Sequence, residues 1–125
     1  MRRIVLALVV AVGFGVSLAA GAASAATEPD EPPAAVDLVV FHGDGCPHCA
    51  RMLDFLDELV ERTDGLTVTA YEVWHDPLNE QRFVDTLAAL GEEPRSVPTV
   101  VMGERVYVGF SDSMARRIER DVTSL

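Results

Sequence analysis

The sequence predicts an α/β fold, a mixed four-stranded sheet flanked by three helices in the order βαβαββα. Short apolar, β-branched runs alternate with stretches of helical period. Proline sits at the start of two of the helical stretches, and glycine closes them. The last two strands are separated only by Gly103-Glu104, the spacing of a tight hairpin. Parallel strands joined by helices, followed by a hairpin, make the sheet mixed and cover it on both sides.

Taken in order, Val36 to Phe41 reads as a strand buried on both faces. His42 to Gly45 is a glycine-rich turn. A helix runs from Pro47 to about Arg62, with Met52, Leu53, Leu56, Leu59 and Val60 on one face, and Gly65 closes the segment. Leu66 to Trp74 is the second strand. Asp76 caps a helix that Pro77 begins and Gly91 ends, with Leu78, Phe83, Leu87 and Leu90 along it. Thr99 to Met102 and Arg105 to Val108 form the hairpin. Met114, Ile118, Val122 and Leu125 stripe a final helix beginning near Ser111 or Asp112. There is no internal repeat.

With 49% hydrophobic and 24% charged residues, the 125-residue chain is neither a disordered acidic tail nor a charge-rich coil. Its 20 acidic residues face 10 basic ones, all arginine. That balance repels phosphate backbones, and no basic stripe offsets it, so nucleic acid is not an expected partner.

The N-terminus has the form of an export leader. Met1-Arg2-Arg3 is positive, and Ile4 to Ala26 carries no charge. Ala23-Ser24-Ala25 is a small-x-small processing site, which predicts a signal peptide over residues 1–25. An uncleaved anchor through residues 4–26 is the competing reading, since such a stretch is long enough to span a bilayer. Glycines 13, 15 and 21 and the hydrophobicity fading after Leu18 speak against it. No cysteine ends the leader, so a lipid-anchored form is not expected. Either way the domain is expected outside the cytoplasmic membrane, where disulfides persist. Residues 26–35 read as a Pro- and acid-rich linker and residues 36–125 as one folded domain.

Two cysteines cannot build a multi-disulfide scaffold or a four-cysteine zinc site. Both lie in Cys46-Pro47-His48-Cys49, at the start of the first helix. Cys46 falls at the N-cap, where unpaired backbone N–H groups and the helix dipole favour a thiolate. Its pKa is lowered there and the sulfur becomes reactive near neutral pH. Cys49 is one helical turn away, within disulfide reach, and suited to be a more buried resolving thiol. Two competing readings remain. One is a permanent disulfide in a non-catalytic exported binding module, although so short a loop gives little entropic stabilisation. The other is a metal clip, which His42, His48 and His75 do not favour because they lack a helical or hairpin pair spacing. No metal site is therefore expected. His42 and Asp44 flank the pair and are expected to be solvated turn residues.

Ser96-Val97-Pro98-Thr99-Val100, directly before a strand and after a helix, matches a further motif. With the cysteine pair it makes residues 36 to 122 resemble the thioredoxin-like superfamily. The resemblance implies a cis bond at Val97–Pro98, beside the cysteines, with Val97 backbone groups left to pair with a substrate strand. Val108-Gly109-Phe110-Ser111-Asp112 is similar to the segment entering the last helix of glutaredoxin-like proteins. The lack of an additional strand and helix at the front places the topology nearer glutaredoxin than thioredoxin.

The Pro47-His48 dipeptide resembles that of the bacterial disulfide-bond oxidase of the DsbA type. A cation or N–H donor on His48 near the Cys46 thiolate would stabilise the reduced form and make the disulfide a stronger oxidant. DsbA and thioredoxin differ by about 150 mV, roughly 7 kcal/mol, so such tuning decides direction. The chain departs from that oxidase in lacking its large helical insertion, since only Gly91 to Val97 separates the second helix from the proline loop.

Related enzymes also carry a buried acid six residues before the first cysteine, where this chain has Val40. Glu72 is the substitute candidate for shuttling a proton to Cys49; a solvated edge carboxylate is the competing reading. Tyr71-Glu72-Val73-Trp74 resembles exported domains that serve membrane thiol-electron carriers, as in cytochrome c maturation, which implies a reductive relay instead. The expected activity is thus thiol–disulfide exchange, oxidising, reducing or isomerising protein disulfides. Cys46 and Cys49 form the couple, Pro47 and His48 tune it, and Val97 and Pro98 dock the substrate. No bound cofactor is expected. Expected partners are protein thiols and disulfides, with a membrane thiol-electron carrier or quinone-linked oxidase for recharging, and the protein is expected to be a monomer. Glutathione is disfavoured, because no basic residue between Val36 and Cys49 would hold its carboxylates.

Overall fold

The structure is a computed structural model and describes residues 35–125. The expected signal peptide and most of the linker lie outside the described residues. None of the described helices is long and apolar enough to cross a membrane.

The elements run β1 (Val36–His42), α1 (Pro47–Glu61), β2 (Leu66–Glu72), α2 (Pro77–Ala89), β3 (Thr99–Met102), β4 (Arg105–Val108) and α3 (Asp112–Thr123). The strands lie in the order β2-β1-β3-β4. β1 pairs in parallel with β2 and antiparallel with β3, and β3 pairs antiparallel with β4. This is the expected mixed sheet with three helices, and β3 and β4 begin and end where the sequence places them. Gly103 takes φ +58 in the hairpin turn, a conformation that favours glycine.

Alternation along the strands sorts side chains to two faces. Leu38, Val40, Val100, Met102 and Tyr107 point to one face, where Met52, Leu56 and Leu59 of α1 and Ile118 and Val122 of α3 cover them. Phe41 and Val101 point to the other, against Phe83 and Leu87 of α2. The central strands are therefore apolar on both sides. Asp76 fixes the start of α2 by accepting from the N–H groups of Leu78 (2.9 Å) and Asn79 (3.2 Å). Ser111 does the same for α3 through Met114 (3.2 Å). Each such cap contributes about 1 kcal/mol. Tyr107 ties β4 to α3 by donating to Asp121 at 2.7 Å. Burial and that carboxylate push its phenol up to about 12.

Two strand ends differ from expectation: β1 runs one residue further than Phe41, through His42, and β2 stops early. β2 ends at Glu72, two residues before the predicted end at Trp74. The Glu72 carboxylate accepts the backbone N–H groups of Trp74 (2.9 Å) and His75 (2.9 Å), which turns the chain out of the sheet.

Candidate active site

β1 ends at His42, and the chain turns through Gly43, Asp44 and Gly45 into α1. The Cys46 N–H donates to the Gly43 carbonyl at 3.2 Å, closing the turn. Gly45 takes φ +84, which a residue with a Cβ rarely adopts. Gly43 is needed for a different reason: a Cβ there would overlap the indole of Trp74, which lies flat against it. Trp74 is 55% exposed and so offers an open aromatic face beside the turn.

Cys46 is the N-cap of α1, with extended backbone (φ −84, ψ 115), and Pro47 follows in the first turn. Its sulfur accepts the Cys49 N–H at 3.2 Å, so the cysteine itself performs the capping. A thiolate in that place gains from both the hydrogen bond and the helix dipole, and no acidic side chain in the first turn opposes it. The two cysteines are joined as a disulfide, with Cα atoms 5.1 Å apart. Cys46 is 9% exposed and Cys49 1%, which makes Cys46 the sulfur that a partner reaches first.

Topology places the remaining predicted residues at the same end of the sheet. Phe41 of β1 pairs with Thr99 of β3, so Pro98, one residue earlier, stands opposite the start of the cysteine turn. The Val97–Pro98 bond is cis. Pro98 is buried, and its carbonyl accepts from Gly109 at 2.8 Å. Val97 is half-buried and makes no backbone hydrogen bond to a described residue. A cleft of about 270 Å³ runs beside it, between Val73, Trp74, Phe83 and Val84. A wider cleft of about 590 Å³ lies at the far end of the sheet, by Val36 and Gly103, away from the sulfur chemistry.

Glu72 is where expectation needs correcting. It pairs in register with His42, so it is indeed near the turn. Yet its carboxylate is occupied by the N–H groups of Asp44 (3.2 Å), Trp74 and His75, and by the His75 ring (3.1 Å). Desolvation raises its pKa, but the hydrogen bonds from His75, Asp44 and Trp74 outweigh that and hold it down to about 2. A carboxylate held so low by these donors is a poor acceptor for a proton moving to or from Cys49. It is also no free edge carboxylate, since its side chain is only 18% exposed. Its task is to tie the cysteine turn, through Asp44, to the loop that holds Trp74. Val40 is fully buried among apolar neighbours, and the one buried polar side chain among the described residues is Thr99.

The low value of Glu72 gives a prediction with a defined sign. Its stabilisation is complete above the unfolded value of about 4.5 and is lost as pH falls toward the folded value of about 2. Glu72→Gln should melt a few degrees below the parent at pH 7, and the gap should close near pH 2 to 3. A gap of equal size at both pH values would contradict the ionic role.

His48 is exposed, and its Nδ1 lies 2.7 Å from the Arg51 guanidinium. Arg51 also lies 5.5 Å over the Phe110 ring. Sequence reasoning missed Arg51. The signal was available as an i, i+3 helix neighbour of His48, a spacing too common to single it out. His42 Nδ1 is 4.0 Å from Asp44. Asp44, Glu72 and His75 bring possible ligand atoms within 4.8 Å of one another, but the Glu72 oxygens are already engaged by N–H donors.

No protein-family model and no curated protein matches the sequence. Solved structures do resemble the fold. A glutaredoxin from Archaeoglobus fulgidus superposes with a TM-score of 0.51 at 21% identity, over 68% of this chain and 87% of its own. The reduced desulfothioredoxin of Desulfovibrio vulgaris Hildenborough gives 0.52 at 21% identity, over 73% and 82%. The fold is thioredoxin-like, with a Cys-x-x-Cys pair at the start of its first helix.

Proposed function

We propose that the protein is an exported thiol–disulfide oxidoreductase that donates its Cys46–Cys49 disulfide to protein thiols. The observation that carries this reading is the position of Cys46: helix N-cap, sulfur on the Cys49 N–H, and more exposed than its partner. Export is supported by the leader-like pattern of residues 1–25, a positive start, an uncharged stretch and a small-x-small site.

A substrate thiolate attacks the Cys46 sulfur. The Cys46–Cys49 bond breaks, and Cys49 leaves as a thiolate that takes up a proton. A second substrate thiolate then attacks the substrate sulfur of the mixed disulfide. Cys46 leaves with the electron pair, and the substrate gains a disulfide while the protein gains two electrons. The second step is favoured because the departing Cys46 thiolate is stabilised at the helix N-terminus. Val97 offers its backbone to an extended substrate segment, and the Trp74 cleft receives an adjacent apolar side chain. In reverse, the same steps would reduce a disulfide. Recharging requires a two-electron acceptor, for which a quinone-linked membrane oxidase is the expected class.

A reduced, denatured substrate protein mixed with the oxidised protein provides the test. One substrate disulfide should form for each Cys46–Cys49 pair reduced, with no other oxidant present. Substrate thiols that persist beside an intact Cys46–Cys49 bond would overturn the reading.

A further inference from the structure

Arginine is only a hydrogen-bond donor, and it stays charged at every pH at which the protein folds. Its contact with His48 at 2.7 Å therefore requires the Nδ1 atom to be the acceptor. The ring proton then sits on Nε2, which becomes the N–H that His48 can offer a sulfur. The guanidinium is held from a second side by Phe110, at 5.5 Å, and that ring is itself packed against Phe55 (centroids 6.1 Å apart). α1 and the β4–α3 connection thus clamp Arg51 together. Acids outnumber bases two to one in this chain, yet Arg51 forms no ion pair with a described carboxylate. Its charge is left to act on the first turn of α1, where no acidic side chain cancels it.

We infer that Arg51 is a positioning residue for the Cys46–Cys49 couple, fixing His48 as the Nε2–H tautomer and supplying the positive charge that favours the Cys46 thiolate. This rests on the couple being redox-active. It moves the source of the cation from the histidine, as the dipeptide alone implies, to the arginine one turn along. An exposed charge at a helix end is worth a factor of about three in such an equilibrium, which is roughly 14 mV for a two-electron couple.

The test uses the whole protein and Arg51→Gln and Arg51→Lys, both exposed helix substitutions. The ¹⁵N shifts of the His48 ring, followed across a pH series, report the tautomer. Equilibration with glutathione buffers reports the potential. In the parent, His48 should be the Nε2–H tautomer. Arg51→Gln should mix the tautomers and shift the exchange equilibrium about threefold toward the disulfide. Arg51→Lys, which keeps the charge, should restore most of that shift. If Arg51→Gln leaves either the tautomer or the equilibrium unchanged, the inference fails. If instead no variant nor the parent equilibrates with the buffers, while the ring shifts respond, the proposed redox function fails and the tautomer assignment stands.

Discussion

Cys49→Ser, exposed to a protein disulfide, is expected to accumulate as a covalent adduct that dithiothreitol releases, whereas Cys46→Ser accumulates none. The asymmetry follows from the site. Cys46 is the capping, more exposed sulfur, and without Cys49 nothing in the molecule can resolve the bond it forms. The chain has just two cysteines, so the adduct can form only through Cys46 in that variant. Turnover should fall at least about a thousandfold in either variant, as it does when a nucleophile or its essential partner is removed. Non-reducing electrophoresis checks the adduct, and mass spectrometry its site. Equal adduct yields from the two variants would mean that the capping geometry does not set the order of attack. No adduct from either would reduce the pair to a structural bridge.

Phe41→Ala should have the largest effect on the fold itself. Phe41 is fully buried near the end of β1, one residue before His42. Its ring packs on Phe83 of α2 (centroids 4.8 Å apart) and stacks with Tyr71 of β2 (5.8 Å). Its backbone pairs with Tyr71 on one side and Thr99 on the other, so it stands between the cysteine turn and the proline loop. Truncating a buried phenylalanine costs about 3–5 kcal/mol. A domain of this size has a total stability of about 5–14 kcal/mol. Thermal unfolding should therefore drop by about 12–40 °C, at roughly 4–8 °C per kcal/mol. A drop of only a few degrees would mean that the α2 face contributes little to the core.

Most of the fold was legible because its pattern is local. The β3–β4 hairpin follows from two short apolar runs and one glycine turn, α2 from Asp76 at its cap, and α3 from the apolar stripe of Met114, Ile118 and Val122. The cysteine turn was legible for the same reason, since Pro47 marks the first helical turn and so sets Cys46 at the N-cap. What the sequence hid depends on residues meeting from separate elements. Glu72 looked like a candidate proton carrier because it stood in an apolar strand; only the approach of Asp44, Trp74 and His75 makes it an anchor with a pKa of about 2. Gly43 looked like an ordinary turn glycine until Trp74 was seen to lie against it. Arg51 was one of ten arginines, and that it pairs with no described carboxylate is visible only in three dimensions.

The oxidising character of the couple is the central claim, and its reduction potential tests it most directly. On the proposed oxidase reading the couple should lie well above thioredoxin's about −270 mV, toward the about −120 mV of DsbA, with the Arg51 charge supplying only a small part of the difference. A value at or below thioredoxin's would contradict that claim and make the protein a reductant.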